Sequence, residues 1–345
     1  MPLAVLATAG SDLFVRLASI FHGVVLPVLL IAAIGYAIQR RGGLDMATLR
    51  RLNFYFVIPA IVYYSIVTSK LTITAVGLVV AFGLAMLVAQ GALTWAAGRL
   101  RGADPSLRRA MMMTTMFYNS GNFGLPVQEM AFQPYGPQAA ADAVGYQAFV
   151  MISQNLISFT IGIGVVAGGQ RARRLSDTLR HIAKLPPIYA ITAAVLTVQL
   201  RNALGDHAGV AAAVAPLWQV LLYVKNAFIA VAVLTLGAQL ATIRRGSTRD
   251  PVFLAVALRL LAGPAIGLAV IYTLRLLGVA IDPFVAQVLL ISAASPTAVN
   301  AMLLCLEFHT HPDFAARAVF FSTLLSPVTV TAVVFLAQSG LLPGF

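Results

Sequence analysis

The sequence predicts an all-α polytopic membrane protein in which ten helices cross the bilayer, and three observations lead to this fold class. Of the 345 residues, 60% are hydrophobic and only 10% are charged, whereas an ordinary soluble domain carries about 25% charged residues. The apolar residues form segments close to the roughly 20 residues that a helix needs to cross a bilayer. The basic residues gather in every second connection between these segments. This composition excludes a soluble enzyme, a disordered chain and a disulfide scaffold.

The predicted spans follow one another with short connections. Each span must be helical, because an open strand leaves its backbone groups without hydrogen-bond partners in lipid. The single cysteine, Cys305, cannot form a disulfide within the chain and is expected to be a packing residue. In chain order the spans cover residues 18–39, 50–69, 72–98, 108–132, 143–168, 186–204, 216–241, 251–276, 283–307 and 314–339.

The distribution of Lys and Arg predicts the orientation of the chain. One set of alternate loops contains 17 basic residues, whereas the opposite set together with the N-terminal tail contains 4. Because basic loops stay in the cytoplasm, we expect a multi-pass protein of the cell membrane with both termini on the non-cytoplasmic side. The formal charge of +12 therefore indicates a protein of the lipid bilayer and does not indicate nucleic acid as a partner.

The longest basic loop, residues 169–185, divides the ten spans into two sets of five. We interpret it as a cytoplasmic linker, with an amphipathic helix on the membrane surface as the alternative. Because five is an odd number, the second half (186–340) must be inverted relative to the first half (18–168). Inverted repeats of this kind are a recurring plan of secondary transporters.

Each half has helix-breaking residues in its fourth span, that is, in spans four and nine. Unwound backbone at mid-membrane depth is tolerated only where it is buried in protein or lines a cavity. Pro126 and Pro296 suit the first position of a half-helix, with Ser295 as an N-cap, and half-helix N-termini favour anions. A simple proline kink is the alternative. The predicted carboxylate site consists of Asn119, Gly121, Asn122, Gly124, Pro126, Ser295, Pro296, Thr297 and Asn300.

Further polar residues inside the spans are candidates for accessory or coupling roles, because ionisable groups are costly in the membrane. Glu129 could carry a proton, or it could simply be stabilised by the dipole of a half-helix. Lys225 and Arg259 could attract an anion at the rim of the site, or they could snorkel or make structural hydrogen bonds. Three neutral residues could line the cavity or join helices by hydrogen bonds: Gln154, Asn155 and Gln239.

The sequence shows no motif of an enzyme or of a metal site. It has no His-Glu-x-x-His motif, no Gly-x-Ser-x-Gly motif and no pair of intramembrane acids with metal-ligand spacing. Span five has no carboxylate, which weighs against cation exchange and favours an anion as substrate. We therefore expect no catalytic residue, no metal and no cofactor, and we leave open coupling to H⁺ or Na⁺.

Four stretches of the sequence resemble the auxin efflux carrier family, which includes the plant PIN carriers and bacterial malate and malonate permeases. The stretch in span four is the most specific, and the likeness extends over essentially the whole chain. The stretches are Asn119-Ser-Gly-Asn-Phe-Gly-Leu-Pro126, Ala294-Ser295-Pro296 continuing to Glu307 and His311-Pro312-Asp313, Asn53 with Pro59, and Leu236-Gly237.

The resemblance implies a sodium/proton-antiporter-like fold of two inverted five-helix repeats, in which broken helices four and nine cross. It implies a scaffold of spans 1, 2, 6 and 7 and a transport domain of spans 3–5 and 8–10. Such carriers move organic anions by an elevator-type motion, and the plant members are homodimers. By this resemblance Asn119 would contact the substrate carboxylate beside Pro126 and Pro296.

The chain departs from the plant members in ways that bear on its substrate. The linker is short, Leu185-Pro186-Pro187-Ile188-Tyr189 stands where those members have Asn-Pro-Asn-Thr-Tyr, and Ala301 stands where span nine of the family has a second proline. These differences favour a small mono- or dicarboxylate such as malate or malonate over auxin. A sodium-coupled organic anion symporter of the bile-acid type and a non-transporting membrane receptor are the rival functions.

Overall fold

The computed structural model describes residues 15–68, 73–167, 186–204, 208–243 and 251–345. Within these ranges the chain is helical, and β-structure is limited to one isolated bridge. The predicted linker, 169–185, lies outside the described residues. The protein is therefore all-helical over the part of the chain that bears on the predicted spans.

Helical structure lies at each of the five spans predicted for the first half of the chain. Short π-helical turns at Phe21–Val25, Asn53–Val57, Ser120–Gly124 and Ser158–Gly162 adjoin the α-helices. Such turns inside helices frequently mark functional sites. The helices are α1 (Leu26–Gly42), α2 (Met46–Leu52), α3 (Ile58–Thr68), α4 (Ile73–Leu100), α5 (Pro105–Met116), α6 (Leu125–Phe132), α7 (Pro137–Ile157) and α8 (Ile163–Ala167).

In the second half, helical structure also lies at each of the five predicted spans. One π-helical turn, Leu258–Ala262, separates two helices of the eighth predicted span. The helices are α9 (Pro186–Leu204), α10 (Ala208–Ala241), α11 (Val252–Ala257), α12 (Gly263–Leu276), α13 (Pro283–Ala293), α14 (Val299–Glu307) and α15 (Pro312–Gln338).

Among the described residues, five helical segments are long and apolar enough to cross a membrane by themselves. Two shorter apolar helices, Tyr55–Thr68 and Pro283–Ala293, belong to predicted spans two and nine. The chain is thus a multi-pass helical membrane protein, although several predicted spans are not single unbroken helices. The five long segments are Val15–Gly42, Gly77–Leu100, Ala215–Ala241, Val252–Leu276 and Pro312–Gln338.

One set of helices packs through a close approach of α1 and α10. A Cβ atom added at Gly35 would collide with the carbonyl oxygen of Leu234, and one added at Gly237 would collide with that of Ala32. Glycine at both positions lets the two backbones touch. The helix α3 packs against both α9 and α10. Predicted spans 1, 2, 6 and 7 therefore form one connected group.

The helices of the other predicted spans form a second group around α4 and α15. The helix α4 packs against α5, α7 and α12, and α15 packs against α11, α13 and α14. A contact between α3 and α7 joins the second group to the first. The broken spans four and nine lie within the second group.

Both broken spans begin in the same way, with an aspartate followed by a proline. Asp104 accepts hydrogen bonds from the N–H groups of Ser106 and Leu107 at 2.9 and 3.0 Å. Asp282 accepts from Phe284 at 2.8 Å and, more weakly, from Val285 at 3.4 Å. Such caps satisfy backbone donors that the first turn of a helix leaves without an intrahelical partner. The hydrogen bond from Leu107 is the largest cause that lowers the pKa of Asp104.

Candidate functional site

Spans four and nine are both interrupted in their middle. In span four, α5 ends at Met116, and the helical path resumes at Ser120. In span nine, α13 ends at Ala293 and α14 begins at Val299. Each interruption replaces part of a helical turn by non-helical backbone, which must find hydrogen-bond partners outside its own helix.

The two interruptions supply those partners to each other. Tyr118 and Thr297 form an antiparallel bridge. The N–H of Asn119 donates to the carbonyl of Pro296 at 2.8 Å, and the N–H of Ala298 donates to the carbonyl of Phe117 at 2.9 Å. The interruptions of spans four and nine are therefore in direct backbone contact, and we call this contact the crossing.

The two prolines differ in how they relate to the half-helices. Pro126 is the second residue of α6, which follows the π-helical turn Ser120–Gly124, whereas Pro296 precedes the first residue of α14, Val299. Ser295 is not the N-cap of α14, because Ala298 occupies that position without a side-chain cap. The expectation that Pro296 opens a half-helix with Ser295 as its N-cap was therefore wrong, whereas Pro126 lies in the first turn of α6. The backbone pairing of the two segments sets where the helices stop, and this pairing is a tertiary contact.

A cavity of about 510 Å³ lies beside the crossing. The first turns of both half-helices line it, through Ser120, Gly121 and Asn122 on one side and Val299 and Asn300 on the other. The N-terminal end of a helix carries a partial positive charge and leaves backbone N–H groups available. Two such ends therefore face one cavity.

Seven of the predicted site and accessory residues line this cavity, and eight do not. Those that line it are Asn119, Gly121, Asn122, Gln154, Asn155, Gln239 and Asn300. Those that lie elsewhere are Gly124, Pro126, Glu129, Lys225, Arg259, Ser295, Pro296 and Thr297.

The carboxamides on the cavity differ in whether they have partners. Asn53 donates to the side-chain oxygen of Asn122 at 2.9 Å, and Asn300 donates to that of Asn155 at 3.2 Å. By contrast, the side-chain nitrogen of Asn119 finds no hydrogen-bond partner among the described residues, although Asn119 is only 8% exposed. A buried donor left unpaired costs about 1–3 kcal/mol. A ligand that brings an acceptor to Asn119 would recover that free energy.

Several predicted residues that do not reach the cavity hold the crossing together from behind. The hydroxyl of Thr297 donates to the carbonyl of Thr114 at 2.8 Å. Gln147 donates to the carbonyl of Ser120 at 2.8 Å. A Cβ added at Gly124 would collide with the amide nitrogen of Gln147. Glycine at position 124 therefore makes room for the glutamine that supports the turn lining the cavity.

Arg259 lies behind the crossing and not at the rim of the cavity. Its side chain is fully buried, and it donates to the carbonyl of Thr115 at 2.9 Å and to the carbonyl of Ala293. Its guanidinium also lies 4.9 Å from the centre of the Tyr118 ring. These carbonyls belong to the C-terminal ends of α5 and α13, where a positive charge is stabilising. Of the two alternatives for Arg259, the geometry matches a structural hydrogen bond.

Glu129 and Lys225 form an ion pair away from the cavity. The distance between the Lys225 Nζ and the Glu129 Oε1 is 3.2 Å, with side chains 29% and 11% exposed. The Lys225 ammonium also lies 5.7 Å from the centre of the Tyr64 ring. The pair joins α6 of the second helix group to α10 of the first.

The cavity includes residues that the sequence did not bring forward as site residues. Asn53 stood out only through the family resemblance, and Arg51 only as a loop charge. Two of the missed residues carried a readable signal, since Thr235 precedes Gln239 by four positions and Ser158 follows Gln154 by four. Residues at that spacing share a helix face. The missed lining residues with polar side chains are Arg51, Asn53, Tyr55, Tyr118, Ser120, Ser158 and Thr235.

Within the described ranges no group of three or more His, Cys, Asp or Glu residues is placed to hold a metal ion. The residues that line the cavity include no acidic side chain. The cavity is thus surrounded by amides, hydroxyls, aromatic and aliphatic groups, with one guanidinium from Arg51.

Comparison with known proteins places the chain in a family. The sequence model of a family described as "Membrane transport protein" matches residues 20–183 and 175–334. An "Uncharacterized transporter" from Methanothermobacter thermautotrophicus is 24% identical over 311 residues, which cover 89% of this chain and 95% of that protein. A "Putative malonate transporter" from Rhizobium meliloti is 28% identical over 236 residues, or 65% of this chain and 66% of that protein. The chain belongs to this family of membrane transport proteins, the auxin efflux carrier family.

Proposed function

We propose that this protein is a secondary transporter of small organic anions, which binds a carboxylate in the cavity beside the crossing. The observation that carries the proposal is the convergence of two half-helix N-termini and the unpaired donor of Asn119 on a cavity without acidic side chains. Each helix N-terminus is equivalent to roughly half a positive charge. An anion is therefore the ligand that this surface stabilises, and a cation is disfavoured.

A small dicarboxylate is the substrate class that we propose. The relative named as a malonate transporter supports this class, as do the neutral amide donors on the cavity. Amides can bind a carboxylate without holding it as an ion pair, so the substrate can be released. This property suits a transport site, which must bind and let go in each cycle.

Transport would proceed by alternating access of an elevator type. A second hollow lined by Met46, Ile243 and Asp313 shares Gln239 and other residues with the cavity. These residues adjoin the Arg-rich loops, so we infer that the cavity opens to the cytoplasmic face. In this proposal α1, α3, α9 and α10 form a scaffold in a homodimer, and the other helices move the crossing across the membrane. We further propose that the two halves are inverted repeats, that the protein lies in the cell membrane and that both termini lie outside the cytoplasm.

Sodium coupling through carbonyls at the breaks is the second candidate, in the manner of a bile-acid-type symporter. The hydrogen bonding at the crossing weighs against it. The carbonyls of Phe117 and Pro296 accept bonds from the facing segment, and those of Thr115 and Ala293 accept from Arg259. A sodium ion would have to compete with these donors. Proton coupling through Glu129 and uniport without a coupling ion complete the alternatives.

Charge movement in proteoliposomes on a solid-supported membrane tests the proposal. Malonate, malate, a monocarboxylate and an indole acid are applied in turn, with and without a pH or sodium gradient. We expect a current for a dicarboxylate, with an apparent affinity at least tenfold weaker, about 1.4 kcal/mol, in Asn119→Ala. The matched control is Asn226→Ala, an exposed asparagine on α10 outside the cavity.

Electroneutral transport would give no current, so binding of each acid is also measured by thermal unfolding. A ligand that binds the folded state raises the melting temperature. An absence of both current and thermal shift for every acid would contradict the proposal and favour a non-transporting receptor. An unchanged affinity in folded Asn119→Ala would refute the assignment of the site.

A further inference from the structure

The cavity has a second feature that attracts anions, apart from the crossing. Arg51 is the one charged side chain among the residues that line it, within the part of the chain that the structure describes. Arg51 is exposed, which places its guanidinium at the mouth. Two positions later, Asn53 is buried and donates to Asn122 in the first turn after the crossing. The segment 51–53 therefore runs from the mouth of the cavity to its floor.

Nothing in the described chain holds the guanidinium of Arg51 in an ion pair within 4 Å. Its charge reaches Asp45, whose pKa is lowered chiefly by the hydrogen bond from the Thr48 hydroxyl and least by Arg51. Asp45 itself accepts bonds from the N–H groups of Ala47 and Thr48 at 3.0 and 3.3 Å at the start of α2. Asp45 is thus committed to its helix, and Arg51 keeps its donors for a ligand.

We propose that Arg51 binds the second carboxylate of a dicarboxylate, while the first carboxylate lies at the crossing against Asn119. This inference rests on the proposed function. A guanidinium presents its N–H donors in a planar fork that matches a carboxylate. The floor of the cavity supplies only partial charges and amides, so a second full charge on the substrate is stabilised at the mouth. Arg51 is therefore the residue that distinguishes dicarboxylates from monocarboxylates.

The test compares malonate with malonamate, its monoamide, which has nearly the same size and one negative charge fewer. Binding of each compound is measured by calorimetry on the purified full-length protein in lipid nanodiscs. The variants are Arg51→Gln, Arg51→Lys and Asn119→Ala. The matched control is Arg101→Gln, an exposed arginine that does not line the cavity.

We expect the wild type to bind malonate about tenfold or more tightly than malonamate, which corresponds to a charge-assisted hydrogen bond. Arg51→Gln should lose this preference by weakening malonate alone, and Arg51→Lys should keep part of it. Asn119→Ala should weaken both compounds, and Arg101→Gln neither. Retained binding of malonamate shows that Arg51→Gln is folded.

An equal loss of affinity for both compounds in Arg51→Gln would overturn the inference, because Arg51 would then contact the carboxylate that malonate and malonamate share. Unchanged binding of both would overturn it as well, because the charge at the mouth would not touch the ligand. If the wild type bound malonamate and malonate equally, discrimination by Arg51 would be refuted while anion transport stood. If it bound neither these nor any other organic acid, the proposed function itself would fail.

Discussion

The ion pair between Glu129 and Lys225 predicts how a substitution shifts the equilibrium between the two states of the proposed elevator motion. In the proposed function the cavity opens toward the Arg-rich loops, whereas the pair joins α6 to α10 outside that cavity. If the group that contains the crossing slides along the other group, this contact must break. Glu129→Gln removes the charge with little change in volume, so it should destabilise the state that the structure represents relative to the opposite one.

The size of the effect follows from the geometry of the pair. At the Nζ–Oε1 distance of 3.2 Å, Coulomb's law with an effective dielectric constant of about 20 gives about 5 kcal/mol before desolvation. Measured exposed pairs contribute about 0.2–1 kcal/mol, and removing one partner of a buried pair costs about 3–5 kcal/mol. The side chains here are 11% and 29% exposed, which places the pair between these limits. We expect about 1–2 kcal/mol, or a five- to thirtyfold change in the equilibrium between the two states.

Cysteine accessibility measures this equilibrium. Ser158→Cys introduces a thiol that lines the cavity, and the native Cys305 is buried. The ratio of modification rates from the Arg-rich face and from the opposite face should fall five- to thirtyfold in Glu129→Gln. Lys225→Gln should act similarly, and the double variant should add little to either. Glu307→Gln, an exposed acid at the end of α14, is the control. An unchanged ratio in Glu129→Gln would refute the reasoning, even if thermal stability fell.

Two further predictions concern the stability of the protein. Arg259→Leu leaves the carbonyls of Thr115 and Ala293 without their side-chain donors, which should cost about 1–3 kcal/mol of folding free energy for each carbonyl. The melting temperature of this variant in detergent should fall clearly below that of Arg259→Lys. Equal melting temperatures would contradict the structural role of Arg259. Gly237→Ala places a methyl group against the α1 backbone and should cost about 1–3 kcal/mol of folding free energy. Gly164→Ala, where a Cβ meets open space, should leave the melting temperature unchanged or raise it.

Composition and hydropathy were sufficient to predict an all-helical membrane protein, because a long apolar segment in lipid has few alternatives to a helix. The pattern of proline and glycine residues predicted that spans four and nine are broken. It misplaced the ends of the half-helices, because Tyr118 and Thr297 pair across a large separation in sequence. Proline marks a segment that cannot continue unaltered as a helix, but the facing segment decides where the helix stops.

The role of Arg259 could not be predicted for a similar reason. A buried arginine is accommodated only where acceptors meet it, and its acceptors come from α5 and α13, which are far from it in sequence. Its position eight residues into a predicted span was equally compatible with snorkelling. By contrast, the Asp-Pro pairs that begin both broken spans, Asp104-Pro105 and Asp282-Pro283, were visible in the sequence. These pairs would have predicted where the first helix of each broken span begins, and that the two spans occupy corresponding positions in the two halves.

The placement of Arg259 also bears on why the cavity suits an anion. At a crossing of broken helices, two C-terminal ends carry partial negative charge and two N-terminal ends carry partial positive charge. Arg259 compensates the C-terminal ends from a fully buried position. No described acidic side chain on the cavity compensates the N-terminal ends at Ser120 and Val299. The crossing is therefore electrostatically asymmetric, and the charge that would complete it is a negative one supplied from the cavity. A carboxylate substrate has that charge, and it can leave again because the protein holds no fixed ion opposite it at the cavity floor.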